Sequence, residues 1–475
     1  VREGFVTKYL ATVALTIATF VMMVATPTAE TDFALVGATI IDGTGAKPVK
    51  NGVILIRDGR IAAVGAVGSV VIPANVRTVD VAGKYIIPGL MDANVHLFLD
   101  AEPENVIQYE GHYEDLIIEA AQVALKNGIT TVFDTWGPRA ALVNARNKIN
   151  SGGAIGSRIF LGGNIIGFTG PLSNDFFPDS EKVFSKTLVD RIDQQWEQGV
   201  GRELLWMTPE EVRAKIRAYI SSGSLDLIKY GSSGHVNEQF IAFSPEAQRA
   251  IVEEAHRAGL TAQAHSTSVE SLRLEIEAGV DLLQHCDITG PEPIPPATLK
   301  TIAERKIPCA AMVVTNKQLE WATTHELRPG FADESKTRDL NDRNLIKTGA
   351  VLLLTTDAGL FGPASLTSPI LGPVLKDVPD VSTRLQDAEY LWLQAVSERG
   401  MAPMNALQAA TRNIAAAYGK ASEIGTIEPG KRADLVVLNA DPLEDARNYR
   451  NIHLVIKDGV SIDRDKLPTK RYLSE

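Results

Sequence analysis

The sequence predicts an α/β protein: a (β/α)8 TIM-type barrel with a small composite β-sandwich formed by both ends of the chain. Three observations carry that expectation. Between residues 85 and 421, short apolar runs alternate with segments that have helical spacing, as expected of βα units around a parallel sheet. Residues 31–84 and 422–475 read as β structure instead. No Gly-x-Gly-x-x-Gly follows the first barrel run, which argues against a doubly wound nucleotide-binding sheet.

Taken in order, residues 1–30 stand apart. Arg2 and Lys8 precede an apolar run, Tyr9 to Ala25, which is followed by Thr26-Pro27-Thr28-Ala29-Glu30. A basic start, an apolar middle and a polar break describe a secretory signal, or an uncleaved anchor. Export follows if this is a true signal, and a cytoplasmic location if it is not. In residues 31–84, two apolar stretches flank Asp58-Gly59, a two-residue hairpin signal. Ala433–Leu438 and Leu454–Val460 repeat the pattern near the other end. Between them, strands are expected near 85–97, 129–136, 157–166, 225–231, 260–266, 281–287, 307–314 and 351–357. The connection 167–208 is long and carries Phe168, Phe176, Phe177, Trp196 and Trp206. It reads as a lid over a site, or as a surface subdomain or oligomer contact. Thr208, Pro209 and Glu211 mark a helix start with a capping box.

The composition sets limits on partners. At 475 residues the chain exceeds one compact core. Its net charge of −11, with no basic cluster, gives no footprint for nucleic acid. Two cysteines, Cys286 and Cys309, provide neither a disulfide framework nor a metal knuckle and read as packed thiols. The expected partner is a small-molecule substrate, and the expected assembly a homo-oligomer. Membrane contact is expected only through the N-terminal segment.

Chemistry is sought where strands end, because barrel sites form at the C-terminal ends of the strands. The first run closes on Asn94-Val95-His96, and alternation along a strand turns both polar side chains to one face. The fourth run, Asp226-Leu227-Ile228-Lys229-Tyr230, buries a lysine among apolar neighbours, which is costly for a lone ammonium. The fifth ends in His265, the sixth in His285 and the eighth in Asp357. Each taken alone has an ordinary reading: a core histidine, a salt-bridged lysine, a helix cap. Together, ligand-type side chains at the ends of five strands point to a metal site.

The order of these residues, led by Pro88-Gly89-Leu90-Met91-Asp92 and followed by Gly425–Leu435, resembles the amidohydrolase superfamily, in its prolidase- and imidazolonepropionase-like branch. The resemblance runs from about residue 33 to the end. It implies a metal set of Asn94, His96, Lys229, His265, His285 and Asp357. One or two divalent ions are implied (zinc first; cobalt, manganese or iron as alternatives), bridged by a CO2-derived carbamate on Lys229. Asn94 departs from the family, where a histidine is usual; an amide oxygen is a weaker donor for zinc-like ions. The Asn-x-His variant is similar to a subgroup that includes phenylurea hydrolases and molinate hydrolase.

The implied reaction is attack of a metal-activated hydroxide on a carbonyl carbon, with Asp357 moving the proton to the departing nitrogen. Amide, urea and carbamate substrates all fit. Trp136, Tyr230, His235 and Phe168 are candidate substrate contacts. The segment after Lys229 departs from the glycine-rich loop of prolidase-like relatives at His235, and it holds no arginine to clamp a carboxylate. That favours a neutral, apolar ligand. The alternatives are a prolidase-like dipeptidase or acyl-amino-acid hydrolase, and a non-catalytic binding protein with a degenerate metal site.

Overall fold

The computed structural model describes residues 32–98, 103–177, 180–235, 240–325, 329–360 and 377–467. The apolar run 9–25 lies outside the described residues. Among those described, no helix is long and apolar enough to cross a membrane.

One eight-stranded sheet takes strands from both ends of the sequence. Its order is β17(Val460–Ser461), β16(Ile452–Lys457), β15(Leu435–Leu438), β5(Tyr85–Pro88), β1(Phe33–Ile40), β2(Val49–Arg57), β3(Arg60–Ala66), with β4(Arg77–Asp80) beside β1. The expected hairpin joins β2 to β3, with Asp58 and Gly59 at φ +48° and +73°, the backbone that a type I′ turn requires. Asp458 and Gly459 repeat it between β16 and β17. The two tips touch: a Cβ on Gly459 would lie 2.7 Å from the Gly59 Cα, so neither glycine tolerates a side chain. Behind this sheet, Phe33, Leu35, Ile54, Ile86, Leu435 and Ile456 form a separate apolar core.

The middle of the chain forms parallel sheets. One runs β6(Leu90–Val95), β7(Ile129–Asp134), β8(Arg158–Leu161). The other runs β14(Leu352–Leu354), β13(Cys309–Ala311), β12(Leu282–Gln284), β11(Thr261–His265), β10(Leu227–Gly231), β9(Ile165–Ile166). Hydrogen bonds join their edges on both sides. Asp226 N donates to Leu161 O, Asp357 N to Asn94 O and His96 N to Ala358 O, each at 2.9 Å. The arrangement is TIM-barrel-like, with helices such as Tyr113–Lys126 and Pro245–Arg257 between strands.

One expectation needs correction. The run 85–97 is not a single barrel strand. It divides at Gly89, so that β5 pairs with β15 and β1 in the first sheet while β6 pairs with β7. Gly89 permits the crossing, since a Cβ there would sit 2.1 Å from Thr130 Oγ1. An uninterrupted apolar run conceals such a division, because both halves are buried. The cysteines are free and buried, as expected. The capping box at Thr208 is formed, with both reciprocal bonds to Glu211 present.

Candidate active site

Asn94 and His96 end β6, Lys229 lies in β10, His265 ends β11, His285 follows β12 and Asp357 follows β14. Five of them are nearly or wholly buried and Asp357 is partly buried, all at the same end of the parallel strands. Two of them stand on unusual backbone: His285 at φ +54° and Asp357 at φ +57°. Left-handed conformations in non-glycine residues are uncommon, and their concentration here fits a site whose geometry overrides local preference.

The contacts are direct. Asp357 Oδ1 accepts hydrogen bonds from Asn94 Nδ2 at 2.7 Å and His96 Nε2 at 2.8 Å. Asn94 Oδ1 accepts a short hydrogen bond from Thr135 Oγ1, and Lys229 Nζ lies 3.0 Å from that hydroxyl and 3.5 Å from the amide oxygen. The rings of His265 and His285 are 4.9 Å apart, edge to face, and His285 Nδ1 lies 3.0 Å from Met312 Sδ.

Burial sets the protonation of the group. It lowers the Lys229 ammonium to about 8, although Asp357 and Asp134 oppose the shift. It lowers His285 and His235 to about 4 and takes His265 well below its ordinary value. These imidazoles are therefore neutral at neutral pH, with a lone pair each. Asp357 goes the other way: burial raises it, but the bond from His96 and the nearby Lys229 hold it ionised, well below the usual carboxylate range.

A cavity of about 240 Å3 opens over these groups, bounded by His96, Lys229, His265, His285 and Asp357 on one side and by Phe98, Val106, Trp136 and Phe176 on the other. A second, of about 260 Å3, shares His235, His265, His285 and Asp357 with the first and extends past Met312, Ile288 and Phe331. The two together form the candidate site.

The donor set suits a divalent cation. Two buried nitrogens, His96 Nδ1 and His265 Nε2, have no hydrogen-bond partner, beside an ionised carboxylate. Among the described residues, though, no three His, Cys, Asp or Glu side chains on their own form a group that could hold a metal ion. The cluster also holds the Asn94 amide oxygen and the Lys229 amine, whose pKa burial lowers to about 8.

The four expected substrate contacts divide. Trp136 is buried, lines the first cavity, donates Nε1–H to Asn164 Oδ1 at 3.1 Å and stacks on Phe176 at 4.0 Å. His235 lines both cavities. Phe168 stands behind them, its ring 5.5 Å from His265 and 5.9 Å from His235. Tyr230 is a correction: strand alternation sends it away from Lys229, and its hydroxyl donates to Gln248 Oε1 at 3.1 Å under the helix Pro245–Arg257. The insertion also divides. Phe176 and Phe177 line the first cavity and Trp196 packs against Phe98, whereas Trp206 is 76% exposed.

Sequence reading passed over Thr135, Phe98 and Met312. Thr135 carried the same signal as the histidines, a polar residue at a strand's end, and Phe98 lies two positions beyond His96 on the same alternation.

Comparison with known proteins gives a consistent picture. The amidohydrolase family pattern matches residues 85–462. The fold is similar to a structure of molinate hydrolase, at TM-score 0.87 and 38% identity, covering 94% of this chain and 97% of that one. It is equally similar to phenylurea hydrolase B, at TM-score 0.87 and 35% identity, covering 93% and 99%. The ochratoxinase of Aspergillus niger is 26% identical over 445 residues, 86% of this chain and 82% of the relative.

Proposed function

As a member of the amidohydrolase family the chain is a hydrolase acting on carbon–nitrogen bonds, and we propose that it is metal-dependent and cleaves a neutral, largely apolar amide, urea or carbamate-type molecule, an aryl urea or (thio)carbamate first among them. The observation that carries this reading is the single cavity bounded on one side by His96, Lys229, His265, His285 and Asp357 and on the other by apolar side chains. The similarity to molinate hydrolase and phenylurea hydrolase B over nearly their whole length supports the choice of substrate class.

His96, His265, His285 and Asp357 would hold the cations, zinc first, with Asn94 as an oxygen donor to one of them. Lys229 completes the set as a carbamate: its neutral amine adds to the carbon of CO2 and gives up one proton, replacing a cation with an anionic oxygen ligand. The lowered Lys229 pKa favours that step, since only the neutral amine adds. When bound, divalent ions supply Lewis-acid polarisation of the carbonyl and bring water within reach of deprotonation near neutral pH.

The chain's own residues do the rest. Asp357 accepts the proton of the attacking water and returns it to the departing nitrogen, as base and then acid. Asn94 fixes the Asp357 carboxylate, and Thr135 fixes the Asn94 amide. Trp136, Phe176 and Phe98 exclude water and give a flat apolar group a surface to pack on. We assign residues 89–421 to the catalytic unit, and 31–88 with 422–475 to the β-sheet unit built from both ends of the chain.

A hydrolysis screen of metal-loaded protein against aryl ureas, carbamates, anilides and dipeptides tests the assignment. Amine release from a urea, carbamate or anilide, abolished by chelation and restored by zinc, cobalt or manganese, is expected. Turnover confined to substrates with a free carboxylate would overturn it.

A further inference from the structure

We propose that His235 selects the substrate: its Nε2 accepts a hydrogen bond from an N–H beside the scissile carbonyl, so that secondary anilides, N-aryl ureas and N-aryl carbamates are preferred over fully N-substituted analogues. This inference rests on the hydrolase reading above and narrows it.

The direction of the hydrogen bond follows from the partner on the other side of the ring. His235 Nδ1 lies 3.0 Å from the Asp175 carbonyl oxygen. A carbonyl oxygen only accepts, so Nδ1 carries the proton. The ring is packed among Phe176 at 4.5 Å, His265 at 5.3 Å and Phe168 at 5.9 Å. No carboxylate among the described residues forms an ion pair with it. A neutral imidazole protonated at Nδ1 has only a lone pair at Nε2, and no described residue donates to that atom. Asp175 itself is held, because its carboxylate accepts from Thr169 N at 2.9 Å and from Arg202 at 3.0 Å. The acceptor is therefore fixed in its tautomer and its orientation before a ligand arrives.

Its position decides what it meets. The two cavities share His235, His265, His285 and Asp357, and so adjoin at the side chains that would flank the reacting carbonyl. Each alone, at about 240 and 260 Å3, falls below the ~300 Å3 at which small-molecule pockets usually begin. A ligand that uses both needs two arms joined by a polar centre. The first cavity offers aromatic walls for a ring; the second offers Met312, Ile288 and Phe331, with the unbranched methionine suited to small alkyl groups of varied shape. An aryl–NH–C(=O)–N(alkyl)2 skeleton matches that order of surfaces, and its one N–H lies beside the carbonyl, opposite the acceptor.

A matched pair of ligands tests this: an N-aryl-N′,N′-dialkylurea, and the same urea methylated on its N–H nitrogen. Both kcat/KM and Kd are measured on the metal-loaded wild type, on His235→Phe and on His235→Gln. The wild type should favour the N–H urea by at least about tenfold in both quantities, the worth of one hydrogen bond with its desolvated acceptor. In His235→Phe the preference should vanish through loss on the N–H urea, whereas a steric effect of the added methyl would persist. His235→Gln, whose amide oxygen also accepts, should keep part of the preference. If His235→Phe does not fold, the wild-type pair and the glutamine variant still decide. Equal affinities for the two ureas, binding of neither, or loss of bound metal in His235→Phe would each overturn the proposal. Hydrolysis of both ureas at equal rates would leave the hydrolase assignment standing without it. Selective binding with no hydrolysis of either would do the reverse.

Discussion

At the N-terminal end of β8, the Arg158 guanidinium is almost fully buried and its Nη2 bonds Asp434 at 3.0 Å and Asp458 at 2.6 Å. Asp458 in turn bonds Arg432 and Lys457, each at 2.8 Å. At the opposite ends of the strands, Lys229, His265 and His96 are just as buried, yet His265 Nε2 and His96 Nδ1 have no partner. In the first region each charge faces an opposite charge, and the network ties β8 to the turns of the other sheet. In the second, burial has stripped two imidazole nitrogens of water without giving them partners, which is an unfavourable arrangement unless something else binds there. Paired charges hold two parts of the fold together in the first region. In the second, the unpaired imidazole nitrogens belong to side chains that line a cavity, and that combination, rather than the lack of a partner alone, marks the site, since Arg158 Nε and Tyr449 Oη also lack partners.

That contrast breaks down if substitutions at the two ends have the same consequences. The largest effect should come from Asp357→Asn. Turnover of any substrate found in the screen should fall about 10^3-fold or more, the usual contribution of a general acid–base group, while metal content measured by atomic emission and the urea midpoint stay nearly unchanged. Substantial remaining activity would remove Asp357 from its role. Next, Arg158→Met should leave kcat per folded molecule intact but lower the unfolding free energy by roughly 3 kcal/mol, because the buried Asp434 carboxylate loses its cation and the partly exposed Asp458 loses one of three. Urea denaturation reads this, and a loss of activity without loss of stability would erase the distinction between the two ends. Smallest, Thr208→Ala removes the hydroxyl that accepts from Glu211 N and leaves the Thr208 N–H bond to the Glu211 carboxylate in place. It should cost about 1 kcal/mol with no change in turnover, and a change in KM would show that the insertion's outer helix communicates with the cavity.

Much of this was legible before any coordinates, for a physical reason. Ligand-type residues at strand ends are rare enough, and a buried lysine costly enough, that Asn94, His96, Lys229, His265, His285 and Asp357 could be picked out; all but Asn94 line one cavity, and Asn94 is bonded to Asp357. Tyr230 was misplaced because neighbours on a strand point to opposite faces, so choosing Lys229 as inward already excluded it. Thr135 was passed over because hydroxyls at strand ends are common and only its contacts to Asn94 and Lys229 distinguish it. The division of 85–97 at Gly89 and the left-handed backbone at His285 and Asp357 depend on what approaches each residue in space, which no local pattern records. Met312 owes its place to long-range packing in the same way.

The sheet that both ends of the chain share, with its glycine tips meeting at Gly59 and Gly459, has a consequence for how the molecule is made. A ribosome releases residues 33–88 several hundred residues before 435–461, and until the later segment emerges β5 lacks the neighbour that occupies its edge. A nascent chain must therefore carry an open, apolar sheet edge through most of its synthesis, which invites pairing with other chains. Pairing of β15 with β5 removes that hazard before the tips meet, so shortening the chain before Leu435 should expose the edge again in the finished protein.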